Sequence, residues 1–252
     1  MKIHGLTVSV GYAAELAQSL DLWLPGLESL TVVTSPADAA THALCLGRDK
    51  VTVYATNAFY RDGALFNKGR AMSEAVDRLH LCEADWFLAF DADVEPAKNW
   101  KVAIETQAKR VDQLYGARRI DYLTKRRVPD GELAGYFMLF HSSDPVAQER
   151  PLFPTQYYHA ANYDSDFVRR WPEHKQYILD LELIHYGVPG QNWCGVGNDA
   201  AMAQLRVARA AGRKWRTETI HAPVNPDSDH PLPETSIRPP NAGAGYTANA
   251  GD

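Results

Sequence analysis

The chain has 252 residues, 45% of them hydrophobic and 23% charged, which suits one large α/β domain and excludes a disordered chain. A formal net charge of −5 argues against a general nucleic-acid coat, and the three cysteines (Cys45, Cys82, Cys194) form no C-x-x-C pair for a zinc site or disulfide framework. No apolar run is long enough to span a bilayer, and Met1-Lys2-Ile3-His4 leads straight into a strand-like segment, so a cytoplasmic protein with no cleavable signal and no integral membrane association is expected.

Taken in chain order, residues 5–10 form a β-branched run, and 13–24 carry apolar residues at helical spacing up to Pro25-Gly26. Residues 30–34 predict a second strand, and Ser35-Pro36-Ala37-Asp38 a helix start with Ser35 as N-cap. Residues 51–54 predict a third strand, 68–81 a helix, and 86–90 a fourth strand that is apolar throughout. Such unbroken apolar runs suit strands buried on both faces, as in a parallel sheet covered by crossover helices. Beyond Pro96 the spacing predicts a helix over 100–115, strands over 116–123, 136–140 and 177–185, short helical structure at 165–170 and an amphipathic helix over 199–211. The expected organisation is one domain over 1–222, with a Pro/Gly-rich, extended or disordered tail over 223–252.

Four segments carry chemistry. Asp91-Ala92-Asp93 closes the fourth strand, and ligands of open α/β sheets bind beyond the carboxyl ends of the strands. Two carboxylates one residue apart can share a hard divalent cation that also takes oxygens from a diphosphate; an acidic loop after a strand is the bland alternative. Asn67-Lys68-Gly69-Arg70 opens a helix, where the glycine lets backbone approach a phosphate and the cations supply donors. His185 ends an apolar strand ahead of Gly187 and could add an imidazole to a metal, although a structural hydrogen bond is the commoner use of such a histidine. Asp164-Ser165-Asp166 enters a helix; one carboxylate can cap it and the other can act as general base, with Asp166 favoured.

In this order the segments resemble the GT-A glycosyltransferases, particularly the branch related to the galactosyltransferase and polypeptide-type enzymes of the family 2 group. The resemblance runs from Thr7-Val8-Ser9-Val10 through Asp91-Ala92-Asp93 and Gly135-Tyr136-Phe137-Met138-Leu139-Phe140 to His185-Tyr186-Gly187 and Asn192-Trp193. It implies a Rossmann-like GT-A fold with a mostly parallel sheet and a nucleoside-diphosphate sugar as donor, a UDP-sugar favoured. It also implies Mn2+ or Mg2+ held by Asp91, Asp93 and His185. Val10, Tyr12 and Thr34 would hold the nucleoside, and Lys68 and Arg70 the diphosphate or donor sugar, with Asn67, Ala92, Asn192 and Trp193 in the same donor-binding set. Asp164 or Asp166 would be the base of an inverting reaction. The acidic pair departs from the commoner Glu-Asp form, and no transmembrane anchor or lectin-like extension is present in the sequence.

A saccharide is the favoured acceptor. Lys109-Arg110, Arg118-Arg119 and Lys125-Arg126-Arg127, with the aromatics Tyr157, Tyr158, His159 and Trp171, place a DNA or RNA acceptor second. Two other classes compete: a nucleotidyltransferase, although Val10-Gly11-Tyr12-Ala13 lacks the glycines and cations of a triphosphate loop, and a nucleotide-sugar-binding module without turnover.

Overall fold

A computed structural model describes residues 1–79, 85–123, 125, 127, 133–160 and 162–186. The helix expected at 199–211, Asn192, Trp193 and the 223–252 tail lie outside the described residues. Eight strands form one sheet: β1 (Ile3–Val8), β2 (Ser29–Thr34), β3 (Val51–Ala55), β4 (Trp86–Asp91), β5 (Val94–Pro96), β6 (Leu114–Asp121), β7 (Phe137–His141) and β8 (Gln176–His185). Their order across the sheet is β3-β2-β1-β4-β7-β6-β8-β5. β1, β2, β3, β4, β6 and β8 run one way, and β5 and β7 are reversed. The sheet is thus mostly parallel, within the α/β architecture expected from the alternating segments.

β4 explains the layering. Leu88 and Phe90 enter one core with Leu16, Leu20 and Trp23 of α1 (Ala13–Trp23), while Phe87 and Ala89 enter a second core on the other face. α2 (Ala39–Cys45) adds Cys45 to the first core, and α3 (Lys68–Leu79) adds Met72 and Val76 to the second. α4 (Trp100–Gln107) covers the first face; the short α5 (Pro145–Gln148) and α6 (Tyr163–Val168) cover the second through Ala147 and Phe167. Burial on both faces is why the run reads apolar without alternation. No helix among the described residues is long and apolar enough to cross a membrane.

The turn after β4 is anchored from below. The Trp23 indole donates to the Val94 carbonyl (3.0 Å) and its ring stacks on Phe90 with centroids 4.4 Å apart. Asp91 and Asp93 therefore sit on a rigid corner.

Several boundaries differ from the expectations. β1 occupies 3–8 rather than 5–10. The cap of α2 is Asp38, not Ser35: the Asp38 carboxylate accepts from the Thr41 N–H (3.1 Å), and Ser35 instead makes the turn before it. The helix from Trp100 stops at Gln107, because Leu114 and Tyr115 are drawn into β6 by pairing with Gln176 and Tyr177 of β8. That pairing spans some sixty residues and leaves no local mark.

Candidate active site

The carboxyl edge of the parallel strands gathers the chemistry-bearing side chains. Register places Asp91 of β4 beside Val8 of β1, and sets Val94, His185 and Asp121 side by side across β5, β8 and β6. Asp93 precedes Val94, so it falls next to His185. The first turn of α3 reaches the same edge through Lys68, whose ammonium pairs with the Asp91 carboxylate and lies 5.4 Å from the Tyr163 ring centroid. Burial works against the Lys68 charge, but Asp91 beside it outweighs that and holds the amine above the ordinary lysine range.

His185 is gripped on both nitrogens. Nδ1 faces Asp121 Oδ1 at 3.2 Å and Nε2 faces Asp93 Oδ2 at 3.3 Å. Asp121 is also met by the Arg119 guanidinium at 3.2 Å, which stacks over Tyr136 at 4.9 Å. Burial disfavours charge on both Asp93 and His185, yet their contact holds Asp93 below the usual carboxylate range and His185 above the usual histidine range. Three carboxylates (Asp91, Asp93, Asp121) thus face Lys68, Arg119 and the His185 imidazole.

No group of three or more His, Cys, Asp and Glu side chains that could hold a metal ion is present among the described residues. Asp91 faces Lys68, so of the three expected ligands only Asp93 and His185 touch. This pair nevertheless suits a cation: a metal-binding imidazole characteristically donates its second nitrogen to a carboxylate, the part Asp121 takes here.

Other expected residues take different places. Asn67 is fully buried and holds protein: its Oδ1 accepts from the Arg70 N–H (2.9 Å) and its Nδ2 donates to the Thr155 carbonyl (2.7 Å). Arg70 pairs with Asp62 (2.8 Å) and the Arg61 carbonyl (3.1 Å). Gly69 is small for a packing reason, since a Cβ there would run into the Pro154 carbonyl oxygen rather than into space for a phosphate. Val10 and Ala92 are buried in the cores, and Tyr12 packs half-buried against the first. Thr34 is fully buried and bonds Asp38 (3.3 Å), which also accepts from the Gly11 N–H (2.8 Å).

The two helix-entry acids separate. Asp164 accepts from the Gly135 N–H (3.1 Å), one residue before Tyr136, whose carbonyl accepts from the Asp91 N–H (3.3 Å). Asp166 is enclosed by the Tyr157 hydroxyl, Gln156 (3.2 Å) and Arg169 (2.9 Å). Asp164 is thus linked through Gly135 and Tyr136 to the Asp91 backbone, whereas Asp166 is bonded to Tyr157, Gln156 and Arg169.

Tyr157, Tyr158, His159 and Trp171 are at most 5% exposed and cannot form a stacking surface. The basic pairs are largely answered by acids: Arg110 by Asp112, Arg118 by Asp180, Arg119 by Asp121 and Arg127 by Glu182. The sequence reading gives Asp121 and Tyr163 no role, and Arg119 only a place in the basic set. The signal for Asp121 was the one used for Asp91, an acid closing a strand, but the strand expected over 116–123 ran two residues past the true end of β6 and left Asp121 inside it.

Comparison with solved structures shows which fold this is. S. aureus TarS 1-349, crystallised in complex with UDP-GlcNAc, superposes with a TM-score of 0.57 at 12% identity over 77% of this chain and 60% of that one. The chain thus spans less than two thirds of that TarS fragment. HddC from Yersinia pseudotuberculosis complexed with GMP-PN gives 0.51 at 13% identity, covering 75% of this chain and 95% of HddC. At such identities the likeness is one of fold, a GT-A-like α/β fold. No protein-family model and no curated protein matches the chain.

Proposed function

We propose that this protein is a glycosyltransferase that moves a sugar from a nucleoside-diphosphate sugar, a UDP-sugar first among them, to an acceptor hydroxyl with the aid of Mn2+ or Mg2+. The observation that carries this reading is the Asp121–His185–Asp93 chain beside Lys68–Asp91 at the carboxyl edge of the sheet. The likeness to TarS with its UDP-GlcNAc supports the donor class. Asp93 and His185 would hold the cation, with waters and diphosphate oxygens supplying the remaining ligands. When bound, it would neutralise charge building on the departing diphosphate.

The charge balance supports this assignment. A dication at Asp93 and His185 would add positive charge beside the Lys68 ammonium, which suits an anionic diphosphate. Lys68 adds a fixed ammonium at the same edge. Asp164 takes the proton of the acceptor hydroxyl as its oxygen bonds to the anomeric carbon; the electron pair of the breaking bond leaves on the diphosphate oxygen.

A second reading, nucleotidyl transfer on the same sheet, draws on the likeness to HddC over 95% of that chain. The loop at Val10-Gly11-Tyr12 counts against it, since Gly11 donates its N–H to Asp38 and the loop carries no cation.

The test is turnover of UDP-, GDP- and CDP-hexoses with Mn2+. Release of one nucleoside diphosphate, abolished in Asp93→Ala and reduced far more by Asp164→Asn than by Asp166→Asn, is expected. Release of pyrophosphate from a nucleoside triphosphate and a sugar phosphate, with no turnover of any hexose donor, would establish the second reading instead.

A further inference from the structure

We infer that Tyr122 and Tyr186 form the acceptor subsite and that it takes the pyranose ring of a saccharide; this rests on the glycosyl-transfer reading above. Tyr122 follows Asp121 and Tyr186 follows His185, so both rings stand one residue beyond the Asp121–His185 contact on the adjacent parallel ends of β6 and β8. Backbone bonds fix them there: the Tyr122 N–H donates to the His185 carbonyl (2.9 Å) and the Tyr186 N–H to the Asp93 carbonyl (2.8 Å). The ring centroids lie 5.1 Å apart at 50°. The Tyr186 hydroxyl donates to the Glu95 carboxylate, which sets that ring's tilt.

Tyr122 is exposed and Tyr186 half-buried. Tyr122 remains 48% exposed with the Lys125 ammonium 4.2 Å above its ring, and neighbouring Leu123 is 64% exposed. Tyr122 and Leu123 thus leave adjoining apolar surface in water beside the buried charge cluster. The aromatics first credited with this role, Tyr157, Tyr158 and Trp171, are core residues.

The surrounding chemistry selects the occupant. A pyranose offers a face of C–H bonds, whose positive edges meet the negative face of a phenol ring, and a rim of hydroxyls that carboxylates accept from. Glu95 supplies such a carboxylate at the edge of the pair. A nucleobase could also stack, but its strand would need cations for its phosphates. Here Arg118, Arg119 and Arg127 are each paired with an acid, on a chain of net charge −5, and Lys125 lies over the Tyr122 ring.

Saturation-transfer NMR on the whole protein with UDP and Mn2+ tests the inference, using the methyl β-glycosides of glucose, galactose and N-acetylglucosamine, with octathymidylate and octauridylate as nucleic-acid probes. At least one glycoside should receive saturation at its ring C–H protons. Tyr122→Ala and Tyr186→Ala should each weaken that binding by about fivefold to tenfold, and Tyr122→Phe should retain it. Stabilisation by UDP–Mn2+ should stay at the wild-type value in all three, which also reports intact folding. Saturation of no glycoside, equal binding in Tyr122→Ala, or an oligonucleotide bound through Tyr122 in place of the glycosides would overturn the subsite. Failure of UDP itself to bind would instead sink the transferase reading, a separate readout.

Discussion

His185 faces a carboxylate on each ring nitrogen, Asp121 at 3.2 Å from Nδ1 and Asp93 at 3.3 Å from Nε2. Asp121 fixes the orientation of the ring and Asp93 shares the task assigned to it. Losing such an orienting partner lowers metal affinity by about tenfold to a hundredfold in comparable sites. Asp121→Asn should therefore weaken Mn2+ binding by that order, measured by electron paramagnetic resonance titration. An unchanged affinity would mean that His185 is not a ligand.

The same contacts set a pH dependence. Asp93 raises the His185 pKa above its ordinary 6.5, and a protonated imidazole cannot bind a metal. Mn2+ affinity should hold at higher pH and fall as pH drops through a value above 6.5, by about tenfold per unit below it. In His185→Gln that dependence should flatten. Titrations at successive pH values read it directly.

Lys68 and Asp91 face each other with side chains 14% and 29% exposed, so neither is well served by water if the other is lost. Lys68→Met should lower stability by about 2 kcal/mol, somewhat under the penalty for breaking a fully buried pair. Adding Asp91→Asn to it should recover part of that loss. Urea unfolding of both single variants and the double variant gives the coupling.

Two glycines should separate structure from function. Gly69→Ala drives a Cβ into the Pro154 carbonyl and should lower the thermal midpoint by several degrees, by about 1–3 kcal/mol of overpacking. At Gly135 a Cβ would lie 2.5 Å from Asp164 Cβ and 2.6 Å from Asp164 Oδ2, so the entry of α6 must shift along with the carboxylate. Gly135→Ala should also lower stability, by about 1–3 kcal/mol, and in addition reduce sugar transfer by the folded protein, because it displaces the proposed base. Calorimetry and a turnover assay distinguish the two effects.

What could be read from sequence followed from local pattern. The runs ending at Phe90 and His185 are apolar because both faces of β4 and one face of β8 are covered, so the acid and imidazole closing them stood out. Direction was not legible: β7 is as apolar as β4, and a strand buried on both faces looks the same parallel or antiparallel. Asp121 escaped notice because its meaning comes from pairing with His185, 64 positions away. The aromatics of 157–171 read as loop platforms because they lack periodicity, yet Phe140 of β7 and Phe167 of α6 pack on Trp171, and Phe153 on Phe167, within the second core.

Thermal stability of the protein with UDP, GDP and CDP, each with and without Mn2+, probes the central claim most directly. One nucleoside diphosphate should raise the midpoint only when Mn2+ is present, and Asp93→Ala should abolish that rise while its ligand-free midpoint still shows a folded protein. Stabilisation by none of the three, or an undiminished Mn2+-dependent rise in Asp93→Ala, would contradict a diphosphate held through a cation at this edge of the sheet.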